Sequence, residues 1–264
     1  MNSSYIRKSI KKWIPVGSPL WYPYFLSKRY IKSFRKEPLL QRGLQHVMHQ
    51  NIVLDKYKAI YIPIPKAACS TLKSICADLL GMETPTNDVA EEIHLMDFPA
   101  AKKYKIHKKY VDYFKFAIVR NPWSRLVSCF NDKINYERGH VYERYENTFI
   151  EYLKKMKAFS EDMTFERFVE VICDIPDEYA EAHFRSQYLF LTDERGNFLP
   201  DFVGKFEELD VAFETISNKL SVNIPLPHIR QGKKRNYFSY YNNKTSKYVE
   251  RRYERDIKMF GYLY

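Results

Sequence analysis

Between residues 57 and 81 the chain reads YKAIYIPIPKAACSTLKSICADLLG, and its apolar positions change period halfway along. Ile60, Ile62 and Ile64 alternate with Tyr61 and Pro63, the two-residue period of a strand. Leu72, Ile75, Cys76, Leu79 and Leu80 then recur at helical spacing, and Gly81 supplies a stop. From about residue 57 onward the same alternation of element types continues. YFKFAIVRNP reads as a second buried strand, with SRLVSCFNDKINYE as the helix behind it. MTFERFVEVICDI is an amphipathic helix opened by Thr164 as N-cap, with Arg167 where a capping box would place Glu. QYLFLTDERGNFLPDFVGKFEEL reads as two strands around an Asp-Glu-Arg-Gly-Asn turn. SKYVERRYERDIKMFGYLY reads as one long charged helix with an aromatic tail. Strands separated by helices predict an α/β fold with a central, mostly parallel sheet flanked by helices.

The turn between the first strand and helix carries candidate chemistry. A helix that opens directly after a strand presents unpaired N–H groups and a partial positive charge, which is an anion site. In PKAACST, Lys66 adds a mobile charge, while Ser70 and Thr71 add hydroxyl donors. The turn contains no glycine, unlike the nucleotide-triphosphatase loop whose backbone wraps a β-phosphate. Pro65, Ala67 and Ala68 are expected to forbid some glycine conformations, so the bound group should be simpler to wrap. No acidic strand end suits a second magnesium ligand. The second strand ends on Arg120, with Arg125 and Ser128 following in the next helix. An arginine fork beside a hydroxyl makes a second anion site. Two such sites at the ends of two strands suit one ligand with phosphates at both ends, beyond the carboxyl edge of the sheet.

Composition narrows the partner without choosing it. The chain has 264 residues, enough for one sizeable domain, and a formal charge of +11. That charge predicts an anionic partner: a nucleotide, an acidic polymer, nucleic acid or a membrane face. Cys69, Cys76, Cys129 and Cys173 form no CxxC pair and no zinc spacing, so free thiols in a reducing compartment are expected. No run of about 18 apolar residues occurs, and the N-terminus has no continuous apolar core of a signal peptide. Residues 1–50 form a basic, aromatic arm, and residues 51–264 the main domain. Trp13, Trp21, Tyr22, Tyr24 and Phe25 beside Lys11, Lys12, Lys28 and Arg29 could rest on an anionic membrane, but with no clean amphipathic helix of useful length the favoured reading is an arm packed on the domain with its basic residues solvated.

IPKAACST and VRNPWSRLVSCFNDK together resemble the two nucleotide-binding elements of sulfotransferases that use 3′-phosphoadenosine 5′-phosphosulfate, PAPS. The carbohydrate branch is the nearer likeness: chondroitin, dermatan and HNK-1 types, and more distantly heparan sulfate 2-O-sulfotransferase. FVGKFEEL at 202–209 and DIKMFGY at 256–262 resemble two further motifs of that branch. The likeness covers about four-fifths of the chain and leaves out the first fifty residues. It implies a sulfotransferase fold, PAPS as donor, no metal, and a carbohydrate or glycolipid acceptor, with no nucleic acid. By that resemblance the turn Pro65, Lys66, Ala67, Ala68, Cys69, Ser70 and Thr71 holds the 5′-phosphosulfate, with Lys66 on the leaving phosphate. Arg120 and Ser128 hold the 3′-phosphate, and Arg235, in a basic segment at 228–241, is placed over the nucleotide. His183 resembles an element that supports the acceptor, and Arg125 is grouped with it.

Sulfuryl transfer to an alcohol needs a base for the alcohol's proton and positive charge on the departing phosphate. His94 is the candidate base, in a position like the histidine of the 2-O-sulfotransferase, with Glu91 and Glu92 as second choices. Two other readings compete. A nucleotide-dependent kinase would need a glycine-rich loop and a magnesium carboxylate, and a non-catalytic module binding acidic glycan or membrane would leave the paired anion elements unexplained. The expected location is cytoplasmic, and peripheral at the inner face of a membrane if the arm rests there.

Overall fold

In the computed structural model, residues 51–84, 92–101, 106, 109–134, 163–177, 180–193, 195–224 and 236–264 are described. The N-terminal arm, Glu91 and Arg235 lie outside the described residues. The sheet is built from β1 (Asn51–Leu54), β2 (Ala59–Tyr61), β3 (Ala100–Ala101), β4 (Phe114–Val119) and β5 (Phe202–Lys205). Their order is β3-β1-β2-β4-β5. β2, β4 and β5 run parallel, so their carboxyl ends open on one side of the sheet. β1 pairs antiparallel with both β2 and β3 and extends that parallel centre at one edge.

Periodicity accounts for most elements. The expected first helix is α1 (Cys69–Leu80), and Gly81 closes it in a left-handed cap at φ 67°. The second is α2 (Pro122–Lys133), where Asn121 caps the N–H groups of Trp123 and Ser124 and Pro122 takes the first position. α3 (Phe165–Asp174) is capped by Thr164, whose hydroxyl accepts from Arg167 N–H. α5 (Leu209–Leu220) lies against β5 so closely that Gly204 has no room for a side chain. A Cβ there would stand 2.5 Å from Ala212 Cβ and 2.7 Å from Ile118 Cδ1.

Three elements differ from expectation. Asn51–Leu54 is a strand, joined to β2 by a one-turn 3-10 helix and a left-handed Lys58, so the fold begins before the alternating run. Tyr188–Leu191 is a short helix, α4; of the two expected strands only the second forms, as β5, and a single bridge between Thr192 and Phe198 flanks the turn. The long terminal helix is two, α6 (Asn243–Arg252) and α7 (Glu254–Phe260). They part at Tyr253, which leaves helical geometry and donates its buried hydroxyl to the Phe184 carbonyl at 2.6 Å.

The core has two parts. One packs α1 and α5 on the sheet around Ile60, Ile62, Ile64, Phe116 and Phe213. The other joins α2, α3 and α6 through Trp123, Phe130, Phe168, Phe184 and Val249. The turns that leave β2 and β4 run along the seam between them.

Candidate active site

The turn after β2 does without glycine by straining other residues. Lys66 and Ala68 both adopt left-handed backbone, at φ 67° and 60°. The expectation that Ala68 would forbid a glycine-like conformation is therefore wrong: the fold holds it there. Such positions cost about 1 kcal/mol or more each and persist only when their surroundings enforce them. Enforcement comes from the neighbours. Ala67 is fully buried, its N–H reaches the Ile64 carbonyl, and the Pro65 and Lys66 carbonyls each accept from an arginine of α2 or its approach. The left-handed Ala68 turns the chain into α1, and no side chain caps that helix. α2, α3 and α6 have side-chain caps, while α4, α5 and α7, like α1, have none. An uncapped helix start beside a lysine is suited to an anion.

Arg120 stands at the end of β4, one strand away. Its guanidinium donates to Ser124 Oγ at 2.9 Å and to the Lys66 carbonyl at 3.2 Å, and lies 4.2 Å from the centre of the Phe206 ring. Burial brings the guanidinium down to about 10, partly opposed by Glu207. Its own N–H and carbonyl are both bonded to the side-chain amide of Gln187, at 2.9 and 2.8 Å. So the two expected anion elements are joined directly. Ser128 lies half-buried one turn after Ser124 on α2, and Asp132 one turn beyond it. Lys66 Nζ pairs with Asp132 at 3.2 Å, and Lys133 pairs with the same oxygen at 3.1 Å. Burial would lift the Asp132 carboxyl, but Lys66 and Lys133 overcome it and hold it below the usual range.

His94 meets this turn from the far side. Its Nε2 is 2.9 Å from Ser70 Oγ and 4.0 Å from Cys69 Sγ. The imidazole is pushed down to about 3, by burial first and then by Lys73, His183, Lys133 and Lys66. It is neutral at ordinary pH, as a base must be, yet a group with so weak a hold on protons takes one from an alcohol poorly.

Arg125, expected beside the acceptor, turns its guanidinium on the backbone. It is buried, and its guanidinium donates to three carbonyls: Pro65 at 3.0 Å, Arg185 at 2.7 Å and Ala182 at 3.1 Å. It ties the segment around His183 to the turn after β2. His183 itself is paired through Nδ1 with Glu181. Ser124, Asp132 and Glu181 were not singled out in the sequence, whereas Gln187 closes the EAHFRSQ element that contains His183. For Ser124 and Asp132 the signal was available, since both share a helical face with Ser128. Gln187 and Glu181 join the site only through tertiary contact.

Among the described residues, no group of three or more His, Cys, Asp or Glu is placed to hold a metal ion. The family model described as "Sulfotransferase family" matches residues 49–263. The chain belongs to this family. Relatives of the sulfotransferase chain include carbohydrate sulfotransferase 14 of Danio rerio, 28% identical over 63% of this chain and 46% of that protein. Carbohydrate sulfotransferase 10 of Rattus norvegicus is 24% identical over 98% of this chain and 81% of its own length. Carbohydrate sulfotransferase 11 of Rattus norvegicus is 26% identical over 67% of this chain and 53% of its own. The chain thus spans about half the length of the first of these relatives. No solved structure gives a significant match. The two family motifs near the C-terminus have clear physical content. In FVGKFEEL, Gly204 admits α5, and Glu207 accepts from Asn121 N–H and Tyr262 hydroxyl. In DIKMFGY, Asp256 accepts from the N–H groups of Gln187 and Tyr188, at 2.7 and 2.8 Å. Each motif thereby supports Asn121 or Gln187, the neighbours of Arg120.

Proposed function

We propose that the chain moves a sulfuryl group from PAPS to a hydroxyl of a carbohydrate by in-line displacement. One observation carries the reading. An uncapped helix start with Lys66 and a fixed arginine stand at the ends of two parallel strands, tied by the bond from Arg120 to the Lys66 carbonyl. Family membership supports PAPS as donor, and the relatives, carbohydrate sulfotransferases by name, support a carbohydrate acceptor.

In this reading the 65–71 turn would hold the 5′-phosphosulfate. Lys66 would exchange Asp132 for the phosphate that departs, stabilising charge as it develops there. Arg120 and Ser128 would hold the 3′-phosphate, and Arg235 would add charge from outside the described residues. Ser70, held by His94, would donate to the phosphosulfate. A cytoplasmic location, with the arm against a membrane face, belongs to the same proposal. Its support is that all four cysteines are free thiols, which suits a reducing compartment. No helix among the described residues is long and apolar enough to cross a membrane.

The test is ligand and transfer together. 3′-Phosphoadenosine 5′-phosphate should raise the melting temperature more than ATP with magnesium does. Radiolabelled PAPS should then label a member of a glycan panel. Stabilisation by ATP with magnesium alone would favour a kinase, and no stabilisation by either would remove the nucleotide reading.

A further inference from the structure

We infer that Glu181 and His183 form the dyad that takes the proton from the acceptor hydroxyl, an inference that rests on the sulfotransferase reading above. Geometry carries it. Glu181 Oε1 and Oε2 lie 2.9 and 3.0 Å from His183 Nδ1, and Oε2 also accepts the His183 backbone N–H at 2.8 Å. A carboxylate on one ring nitrogen sets the tautomer: Nδ1 carries the hydrogen and the basic lone pair is on Nε2. The same contact stabilises the imidazolium that forms when Nε2 accepts a proton. The pair is largely but not wholly buried, with side chains 14% and 17% exposed.

Its place relative to Lys66 is fixed by hydrogen bonds. Arg125 holds the carbonyls of Ala182 and Arg185, on either side of His183, and with its third donor holds Pro65 beside Lys66. Arg185 folds back on the Ala180 carbonyl, and Gln187 binds Arg120 through both ends of its amide. The segment 180–187 is thus anchored to the phosphate turn and to the far anion site alike. The fields at neighbouring groups agree with this placement. His183 acts on both His94 and Asp132, while Glu181 and Lys66 both act on the buried Cys129. His94 suits the task less well, because its Nε2 faces Ser70 and cations surround it.

The step balances as follows. The acceptor oxygen bonds to sulfur as its proton passes to His183 Nε2. The bond between sulfur and the bridging oxygen breaks, and that electron pair leaves with the phosphate beside Lys66. His183 then returns its proton to water.

His183→Ala should lower kcat by roughly a hundredfold or more, the scale of a lost general base. Its affinity for 3′-phosphoadenosine 5′-phosphate should stay near wild type, and added imidazole should restore part of the turnover. Glu181→Gln should lower kcat while leaving the acceptor KM and nucleotide affinity in place, since the amide oxygen can still accept the His183 backbone N–H while the negative charge beside Nδ1 is lost. His94→Ala should lose less kcat than His183→Ala. If His183→Ala fails to bind nucleotide, His183→Asn is judged by the same measures. Retained kcat, a rise in acceptor KM alone, or a greater loss in His94→Ala would overturn the dyad while the sulfotransferase reading stands. A wild-type chain that transfers nothing from PAPS would overturn both.

Discussion

Lys66 reaches the site from a left-handed backbone position that its neighbours enforce, so its charge is aimed as well as present. Lys66→Ala should remove most turnover yet retain affinity for 3′-phosphoadenosine 5′-phosphate, since the start of α1 remains. Single-turnover rates and calorimetric binding on the same preparation would check this; near-normal turnover would refute the role. His94 gives a second prediction, on stability. Unfolding returns its imidazole from about 3 to the ordinary 6.5, so the unfolded chain binds the extra proton. The group therefore contributes stability above 6.5 that is lost as pH falls toward 3. Between about pH 7 and pH 5 the wild-type melting temperature should fall more than that of His94→Gln. Equal falls would show that His94 is not held neutral by the fold. Positions at strand ends were legible in the sequence: Arg120 follows β4 directly, and Lys66 and Ser70 lie in the turn and first helical residues after β2. Arg125 was not, because a guanidinium that clamps an anion and one that clamps three carbonyls look the same until the chain is folded.

Elements were legible where period and length agreed. α1 and α2 each present a full helical repeat with a recognisable stop or start, and β4 has six consecutive residues bounded by a turn signal. Tyr188–Leu191 shows the opposite case. A short apolar run has no period to separate strand from helix, and here Asp256, from far along the chain, receives its first N–H groups. β1 has the same weakness, since four buried residues in a row alternate with nothing. The contact between β5 and α5 supplies the prediction at this scale. Gly204→Ala puts a methyl 2.5 Å from Ala212 Cβ, and one of the two elements must move. Overpacking of this kind costs roughly 1–3 kcal/mol, to be read from urea unfolding. Loss of nucleotide affinity should accompany it, because Glu207, just beyond β5, bonds to Asn121. An unchanged midpoint would mean that the two elements are less tightly packed than described.

At the scale of the whole molecule, the site sits on the seam between the sheet core and the helical core, and buried polar groups join the halves. Asp256 is fully buried, and burial lifts its carboxyl to about 6 despite two backbone donors and Arg125. Asp256→Asn leaves one oxygen for two N–H groups and sets an amide against the other. The cost should be about 1–3 kcal/mol in thermal or urea unfolding, and no change would show that the two bonds are replaceable. No sequence signal announces that link, because its partners are separated by 69 and 68 positions. The Lys66–Asp132 pair has a consequence for the charge balance of the whole chain. A protein with a net charge of +11 draws every small anion in its surroundings. Asp132 acts as a resident competitor, so a visitor succeeds only by outbidding a carboxylate for the lysine. If Lys66 takes the donor phosphate as proposed, Asp132→Asn should raise the affinity for inorganic sulfate and phosphate, and titration calorimetry with either ion would check it. In the proposed reaction the carboxylate opposite the lysine would act as a threshold that a doubly charged phosphate passes more easily than a singly charged ion.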